Sequence, residues 1–291
     1  MNAPRFAPPP AAVVDADVAA ALAEDIGSGD ATALLLDDAP DSAYLLCKED
    51  CVLAGRPWFE ACHRALDPGV AFEWRFDEGD RIAKGEVVAT LRGRNRALVT
   101  AERASLNFLQ TLSGTATTTA RHVDAVRGTG ATILDTRKTI PGLRIAQKYA
   151  VRVGGGGNHR IGLYDAVMLK ENHIRAFGSV AAAIQRARAL HPALPLIVEV
   201  ETLAQLREAL ETGCTRILID DFDADTRREA VRIAKAAPYA GRIPLEVSGG
   251  VDLASLRGIA DDGVDCISIG GLTKHVHAID FSLKLGPPPT A

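Results

Sequence analysis

The chain has 291 residues and a formal net charge of -4, with 47% hydrophobic but only 5% aromatic residues. This length supports a full hydrophobic core and two domains, and the low aromatic content disfavours a stacking surface for nucleic acid. No apolar run approaches the roughly 20 residues of a membrane span, so the sequence predicts no membrane-spanning segment.

The five cysteines are odd in number and scattered, which is typical of a protein of the reducing cytoplasm. Cys47, Cys51, Cys62 and His63 match no common zinc-binding spacing, so we do not expect a zinc site. Residues 1–14 lack the regions of a signal peptide, and we interpret them as a disordered tail.

The next part of the chain has the pattern of a small α/β sandwich. Residues 15–26 predict an amphipathic helix, and residues 56–66 predict a second one. Alternating strand-like runs lie at residues 43–49, 70–76 and 86–93. A longer helix from Glu102 to about Arg127, broken near Gly114, is predicted to join the sandwich to the second half of the chain.

A regular alternation of strands and helices fills the second half of the chain. The strand-like runs lie at residues 131–135, 165–170, 195–200, 215–220, 242–247 and 264–269. Between them, Ser179, Thr202 and Asp225 are predicted helix N-caps, and Gly213 is a predicted helix end. Nearly continuous apolar strands between helices predict a parallel sheet, either a barrel or an open doubly wound sheet.

The strand ends favour the barrel. Each predicted strand leads into charged residues or glycines, as the rim of a β/α barrel does, and glycine turns close the last two units. The first strand is not followed by the glycine pattern of a Rossmann sheet.

The segment from Asp135 to Arg175 contains eight Lys or Arg against three acids, a formal charge of +5 inside an acidic chain. A local basic cluster of this kind indicates a small bound polyanion rather than nucleic acid. Glu199 and Asp220 are candidates for Mg²⁺ or ribose hydroxyls, and the glycine turns at 248–250 and 270–271 are candidates for a phosphate. A sugar phosphate with a pyrophosphate leaving group and an anionic acceptor would use all three regions.

Several segments resemble the quinolinate phosphoribosyltransferase family, whose decarboxylating enzymes make nicotinate mononucleotide for NAD synthesis. The matching pieces are EDIGSGDAT (24–32), AERASLNFLQTLSGTAT (101–117), DTRKTIPGLR (135–144), KYAVRVGGGGNHRIGLYDAVMLKENHI (148–174), VEVET (198–202), LIDDF (218–222), VSGGV (247–251) and IGGLT (269–273). They follow the family's order over nearly the whole chain. The sequence departs from the family's usual residues at Asp221, at Gly271 and at Lys274 with His275.

The resemblance implies an N-terminal α/β sandwich on an incomplete α/β barrel, the type II phosphoribosyltransferase fold. We expect the sandwich at 15–113, with 275–291 packing back on it, and the barrel at 114–274. The resemblance also implies a homodimer, with a hexamer as the alternative. From the cysteines, the apolar runs and the charge pattern we expect it to be cytoplasmic and to bind neither membrane nor nucleic acid. Arg103 would reach the site across the dimer interface.

The resemblance further implies the residues that bind each substrate and carry the chemistry. Those expected around quinolinate are Arg103, Thr136, Arg137, Lys138, His159, Arg160 and Lys170. Those expected around phosphoribosyl pyrophosphate are Glu199, Asp220, Ser248, Gly249, Gly250, Gly270 and Gly271. The catalytic residues would be Lys138, Lys170, Glu199 and Asp220. Mg²⁺ would be held by Glu199 and Asp220, directly or through water.

Other interpretations stay open from the residues alone. Lys170 at a strand end could form a Schiff base in a barrel aldolase, or the chain could bind phosphoribosyl pyrophosphate without turnover or with another specificity. The glycines at 154–157 fit either a ligand loop or a helix C-cap. Arg144, Lys148, Arg152 and Arg175 are expected to be solvated charges.

Overall fold

The computed structural model describes residues 6–289, which form two compact units. The first unit comprises the chain up to Ala120, Thr139–Gly155 and the chain from Gly271 onwards. The second unit comprises Arg121–Lys138 and Gly156–Gly270. The domain boundaries expected from the sequence stay a prediction beside this division.

The elements alternate along most of the chain. The strands are β1 (Pro40–Cys47), β2 (Cys51–Val52), β3 (Ala71–Trp74), β4 (Arg81–Ile82), β5 (Val87–Arg94), β6 (Thr132–Leu134), β7 (Val167–Leu169), β8 (Leu196–Val200), β9 (Arg216–Ile219), β10 (Leu245–Ser248), β11 (Cys266–Ser268) and β12 (Phe281–Leu285). The helices are α1 (Ala11–Ile26), α2 (Arg56–Leu66), α3 (Asn95–Ala125), α4 (Arg144–Val153), α5 (Glu171–Phe177), α6 (Val180–Leu190), α7 (Leu203–Thr212), α8 (Ala224–Lys235), α9 (Leu253–Asp261) and α10 (Gly271–Lys274). Across residues 6–289, none of these helices combines the length and hydropathy that a membrane crossing requires.

The first unit is built on a four-stranded antiparallel sheet in the order β12-β1-β5-β3. Alternate residues of β1 (Ala43, Leu45 and Cys47) are fully buried, as expected for a strand with one face on the core. They belong to one apolar cluster with Phe59 of α2 and Leu109 of α3. The three strand runs and the helix predicted for this region are confirmed.

Two predictions for the first unit are wrong. Residues 11–14 are not part of a disordered tail, because α1 begins at Ala11 and buries Val14 in an apolar cluster with Trp58. The long helix is not broken near Gly114, because α3 runs without interruption from Asn95 to Ala125. Gly114 allows a close approach instead, since a Cβ there would overlap the carbonyl group of His277.

This close approach predicts that Gly114→Ala destabilises the protein. Alanine favours a helix interior over glycine by about 1 kcal/mol, but an overpacked contact with rigid backbone costs roughly 1–3 kcal/mol or more. We therefore expect a net loss of stability, measured as a lower Tm. Gly258→Ala in α9 is the matched control, because a Cβ at Gly258 meets nothing within 4 Å and should raise Tm slightly. Equal shifts in both variants would contradict the packing argument.

Glu78 is a carboxyl group enclosed between elements of the first unit. Its Oε1 accepts hydrogen bonds from the backbone N–H groups of Gly55 (2.9 Å) and Arg56 (2.7 Å) at the start of α2. Its Oε2 is sealed from solvent. Burial raises the pKa of Glu78 from 4.5 to about 7, and burial together with the Glu78 charge raises the pKa of Tyr149.

This shift predicts a pH-dependent stability. Because the pKa of Glu78 is higher in the folded state, the folded protein binds more protons between pH 4.5 and 7, and the free energy of unfolding falls as pH rises through that range. A pKa change of this size corresponds to about 3 kcal/mol. Glu78→Gln should therefore gain stability relative to the parent between pH 5 and pH 8 in urea unfolding. The exposed Glu73→Gln should show no such gain, and parallel pH curves for Glu78→Gln and the parent would refute the prediction.

The second unit contains a six-stranded parallel sheet in the order β6-β11-β10-β9-β8-β7. From β7 to β11 each strand pairs with the next one in sequence, and β6 then pairs with β11. The strand order therefore never reverses direction, as it does in an open doubly wound sheet. This is the topology of a barrel with an open seam between β6 and β7. At the seam, Gly157 forms a parallel bridge to Leu134.

The helix caps of this unit agree with the sequence pattern in all but one case. Ser179 and Thr202 accept hydrogen bonds from the N–H groups of Ala182 and Gln205, and Gly213 ends α7, as predicted. The predicted cap of α8 is wrong. Asp223 rather than Asp225 is the N-cap and accepts from the N–H of Thr226 at 2.8 Å. Both aspartates precede the same apolar stripe, and Asp225 lies in the first turn.

Candidate active site

The polar residues at the carboxyl ends of the parallel strands come to one rim of the second unit. Met168, Ile197 and Leu218 pack together with Ala166 on one face of the sheet. Because strand residues alternate between faces, Lys170, Glu199 and Asp220 follow them two positions later on that same face. The side chains predicted to do the chemistry therefore lie above an apolar floor.

Lys170 and Glu199 form an ion pair at this rim, with 2.8 Å between Nζ and Oε2. Glu199 is buried (8% side-chain exposure), whereas Lys170 is half exposed (46%). Burial raises the pKa of Glu199 and the charge of Asp220 raises it further, while the contact with Lys170 acts against both. The two carboxylates are thus close enough to repel each other, and a cation between them would be stabilised.

The predicted glycine turns lie beside these residues. Gly249 and Gly250 have positive φ angles of 89° and 59°, which glycine adopts readily. A Cβ at Gly249 would lie 3.5 Å from Oδ1 of Asp220, so the turn after β10 adjoins that carboxylate. Ser248 ends β10 and opens this turn.

The loop after β6 contributes cations at the same rim. Lys138 donates its backbone N–H to Oγ1 of Thr136 at 3.0 Å. A Cβ at Gly270 would lie 2.8 Å from Cδ of Lys138 and 3.4 Å from Oγ1 of Thr136. A side chain at position 270 would displace the side chain of Lys138, so the loop after β6 lies directly against the turn after β11.

The segment Asn158–Arg160 lies at the seam and is held by Asp135, which is fully buried. Asp135 accepts hydrogen bonds from Nδ2 of Asn158 (2.6 Å) and from the backbone N–H of His159 (2.8 Å). The Nη1 of Arg160 donates to the carbonyl of Ala166 at 3.4 Å. Burial and the charge of Arg137 lower the pKa of Arg160. Arg137 and Arg160 are therefore close cations, and such a pair is stabilised by an anion.

Two of the predicted site residues lie in the first unit. Arg103 is an exposed residue of α3 and lines a cavity of about 410 Å³ with Glu102, Asp25 and Asp30. Gly271 is the first residue of α10. The predicted roles of both residues stay predictions.

The basic segment corrects one expectation, for Lys148, and resolves the two interpretations of the glycines at 154–157. Lys148 is buried rather than solvated, since α4 buries it along with Gln147 and Tyr149. Gly154 is a helix C-cap whose N–H donates to the carbonyl of Ala150. Gly157, three residues later, binds β6, so the glycine run both ends a helix and leads the chain to Asn158–Arg160.

Sequence reasoning missed the structural roles of two buried carboxylates of the second unit. They are Asp135, which holds Asn158 and His159, and Glu246. Glu246 lies inside β10, is 0% exposed and pairs with Arg216 at 3.0 Å and with His159 at 3.4 Å. The available signal was an acidic residue inside an otherwise apolar strand.

The carboxylate pair is chemically suited to Mg²⁺. No group of three or more His, Cys, Asp or Glu side chains arranged around a metal position occurs in residues 6–289. Mg²⁺, however, is commonly bound through one or two carboxylates together with substrate phosphates. Glu199 and Asp220 provide two such oxygen donors beside the Gly249 turn, so the residues present fit this ion.

Comparison with known proteins identifies relatives along nearly the full chain. The model of the quinolinate phosphoribosyl transferase N-terminal domain matches residues 30–113, and that of the C-terminal domain matches residues 115–284. A Synechocystis protein named probable nicotinate-nucleotide pyrophosphorylase (carboxylating) is 41% identical over 286 residues, 97% of this chain and 96% of that protein. A Bacillus subtilis protein of the same name is 41% identical over 264 residues, 90% of each chain.

A solved structure shares the fold. The nicotinate-nucleotide pyrophosphorylase from Francisella tularensis is 40% identical and has a TM-score of 0.91, covering 98% of this chain and 100% of that one. The predicted fold class is confirmed by this similarity together with the antiparallel first-unit sheet and the parallel six-stranded sheet.

Proposed function

The chain belongs to the quinolinate phosphoribosyl transferase family, and we propose that it transfers the phosphoribosyl group of phosphoribosyl pyrophosphate to quinolinate with decarboxylation. The products are nicotinate mononucleotide, pyrophosphate and CO₂. The enzyme is a pentosyltransferase of de novo NAD biosynthesis. The observation that carries the proposal is the grouping of Lys170, Glu199 and Asp220 beside glycine turns at the rim of the second unit. The cation pair of Arg137 and Arg160 adds positive charge between this rim and the seam.

The paired cations fit a planar dicarboxylate. The charge of Arg137 acts to lower the pKa of Arg160, so the two side chains are close. An arginine binds a carboxylate through two parallel hydrogen bonds. Lys138 and Lys170 add positive charge on neighbouring loops. Thr136 and His159 complete the set that we propose around quinolinate.

The glycine turns fit the 5'-phosphate. Gly249 and Gly250 carry no side chain that could cover a ligand, and we propose that the backbone N–H groups of Ser248, Gly249 and Gly250 bind phosphate oxygens. We propose that Gly270 and Gly271 contribute further N–H groups. Glu199 and Asp220 would accept hydrogen bonds from the ribose hydroxyls.

Mg²⁺ is a proposed cofactor held by Glu199 and Asp220, directly or through water. When bound, it would offset the charge of the pyrophosphate leaving group. Lys170 pairs with Glu199 at 2.8 Å and acts to lower the pKa of that carboxyl, which burial raises.

The proposed reaction depends mainly on positioning and fixed charge. The pyridine nitrogen forms a bond to the anomeric carbon as the bond to pyrophosphate breaks. The nitrogen then carries a positive charge, which stabilises the carbanion left when the adjacent carboxylate departs as CO₂, and a proton completes the ring. Arg137 and Arg160 would hold the carboxylates of quinolinate, and Lys138 would stabilise the negative charge of the departing pyrophosphate.

We also propose a cytoplasmic homodimer in which Arg103 of the partner subunit approaches quinolinate, with a hexamer as the alternative. Light scattering coupled to gel filtration distinguishes these assemblies. A monomer at micromolar concentration would contradict both.

The test of the function is a single assay. The protein is mixed with quinolinate, phosphoribosyl pyrophosphate and Mg²⁺, and nicotinate mononucleotide and CO₂ are measured in equal amounts, with nicotinate as the control acceptor. Ligand binding without product would instead support a non-catalytic relative. Borohydride trapping of Lys170 with a carbonyl substrate would support the aldolase, which the ion pair to Glu199 disfavours.

A further inference from the structure

His159 is a buried residue whose two ring nitrogens both face groups of the protein. Its Nδ1 lies 2.7 Å from the backbone nitrogen of Arg160 and accepts that N–H. An accepting nitrogen carries no proton, so in the neutral ring the proton is on Nε2. Nε2 lies 3.4 Å from Oε1 of Glu246. The protein itself therefore supplies a neighbour to each ring nitrogen.

Glu246 is a fully buried carboxylate that is fixed by the barrel strands. Its Oε2 accepts a hydrogen bond from Nη1 of Arg216 at 3.0 Å. Burial acts to raise its pKa, but the contacts with His159, Ser268 and Arg216 outweigh burial and hold the pKa of Glu246 below its usual value. Oε1 has no hydrogen bond of standard geometry within residues 6–289, and it faces the imidazole at 3.4 Å.

The backbone of the same segment is fixed from another direction by Asp135, which accepts from Asn158 and from the N–H of His159. Two buried carboxylates therefore hold Asn158–Arg160: Asp135, which directly follows β6, and Glu246, which lies in β10. Arg160 follows His159 directly, and its own N–H is bound by the imidazole. The direction in which the Arg160 side chain extends from the backbone therefore depends on these contacts.

We infer that Glu246 is a positioning residue that acts through His159 to aim Arg160 at quinolinate. Glu246 selects the tautomer with the proton on Nε2, which leaves Nδ1 free to accept the N–H of Arg160. The ring of His159 then acts by holding the backbone of Arg160. The inference deepens the proposed function and rests on it, because Arg160 is placed at quinolinate by that proposal.

A double-mutant cycle tests the inference. Glu246→Gln and His159→Phe are each expected to raise KM for quinolinate by about tenfold or more, because misplacing a binding arginine costs more than about 1.4 kcal/mol. KM for phosphoribosyl pyrophosphate should change by no more than about threefold, since those contacts lie on other loops. If Glu246 acts through His159, adding Glu246→Gln to His159→Phe should raise KM no further.

A control variant separates the positioning of Arg160 from a simple loss of structure. Glu229→Gln removes a half-buried carboxylate paired with Arg232 on α8 and should leave both KM values unchanged. Additive effects in the double variant, or equal increases in both KM values, would overturn the inference.

The ring tautomer can be measured without turnover. In ¹⁵N NMR spectra at pH 8, the His159 signals, assigned by their loss in His159→Phe, should show a protonated Nε2 and an unprotonated Nδ1. The opposite tautomer would refute the role of Glu246 even in a fully active enzyme. A wild-type protein that forms no nicotinate mononucleotide would refute the proposed function, and the tautomer would then decide the His159–Glu246 geometry by itself.

Discussion

Replacing Arg160 by alanine is expected to lower kcat/KM for quinolinate by roughly 30-fold to several thousand-fold, which corresponds to the roughly 2–5 kcal/mol lost when one partner of a buried charge pair is removed. Burial and the neighbouring charge of Arg137 disfavour the Arg160 cation before substrate binds. A bound anionic acceptor would offset the repulsion between the two arginines. Much of the acceptor's binding energy should therefore come from this pair. Arg137→Ala should lower kcat/KM over the same range.

The matched control is Arg175→Ala. Arg175 belongs to the same basic segment but is exposed in the last turn of α5. We expect its kcat/KM to stay within a few-fold of the parent, because exposed charges contribute little. Steady-state assays at varied quinolinate make the comparison. Near-parental activity in both Arg137→Ala and Arg160→Ala would remove the basis for the proposed cation pair.

The strands of the second unit could be predicted because each is a short apolar run, covered on both faces in a parallel sheet. All six predicted runs contain a strand. The largest offset is at β10, which begins at Leu245 rather than at residue 242. Pro244 has no N–H to donate to a ladder, although its carbonyl accepts from Ile217.

The features that could not be predicted depend on residues remote in sequence. Gly114 is a poor helix residue by propensity, yet α3 continues through it because the backbone at His277 packs against it. The burial of Lys148 likewise depends on tertiary packing rather than on the charge pattern of α4. Local patterns cannot reveal such contacts, because they arise only when distant segments pack together.

The candidate site shows the same division. The residues at strand ends could be predicted, because parallel strands bring their carboxyl ends to one edge. The support beneath them could not, since the contact between Glu246 and His159 joins a strand to a loop far from it in sequence. An acid within an apolar strand indicates a buried polar contact but does not identify its partner.

Replacing Asp220 by asparagine is expected to weaken Mg²⁺-dependent binding of phosphoribosyl pyrophosphate. Asparagine keeps the size of the side chain and one acceptor oxygen but removes one of the two carboxylates at the rim. If Asp220 holds the ion, directly or through water, the Mg²⁺ concentration for half-maximal activity should rise by roughly 10- to 100-fold. KM for quinolinate should change less, because the proposed quinolinate cations lie on the loops after β6 and β7 and at the seam.

Calorimetry makes this prediction independent of catalysis, because the heat of Mg²⁺ binding in the presence of phosphoribosyl pyrophosphate can be measured without quinolinate. Asp221→Asn is the matched control. Asp221 is exposed and has a positive φ of 55°, a conformation that asparagine tolerates as well as aspartate does. Its Mg²⁺ affinity should match that of the parent. If Asp220→Asn also binds Mg²⁺ as the parent does, Asp220 contacts the ribose alone, and the ion depends on Glu199 and the substrate phosphates.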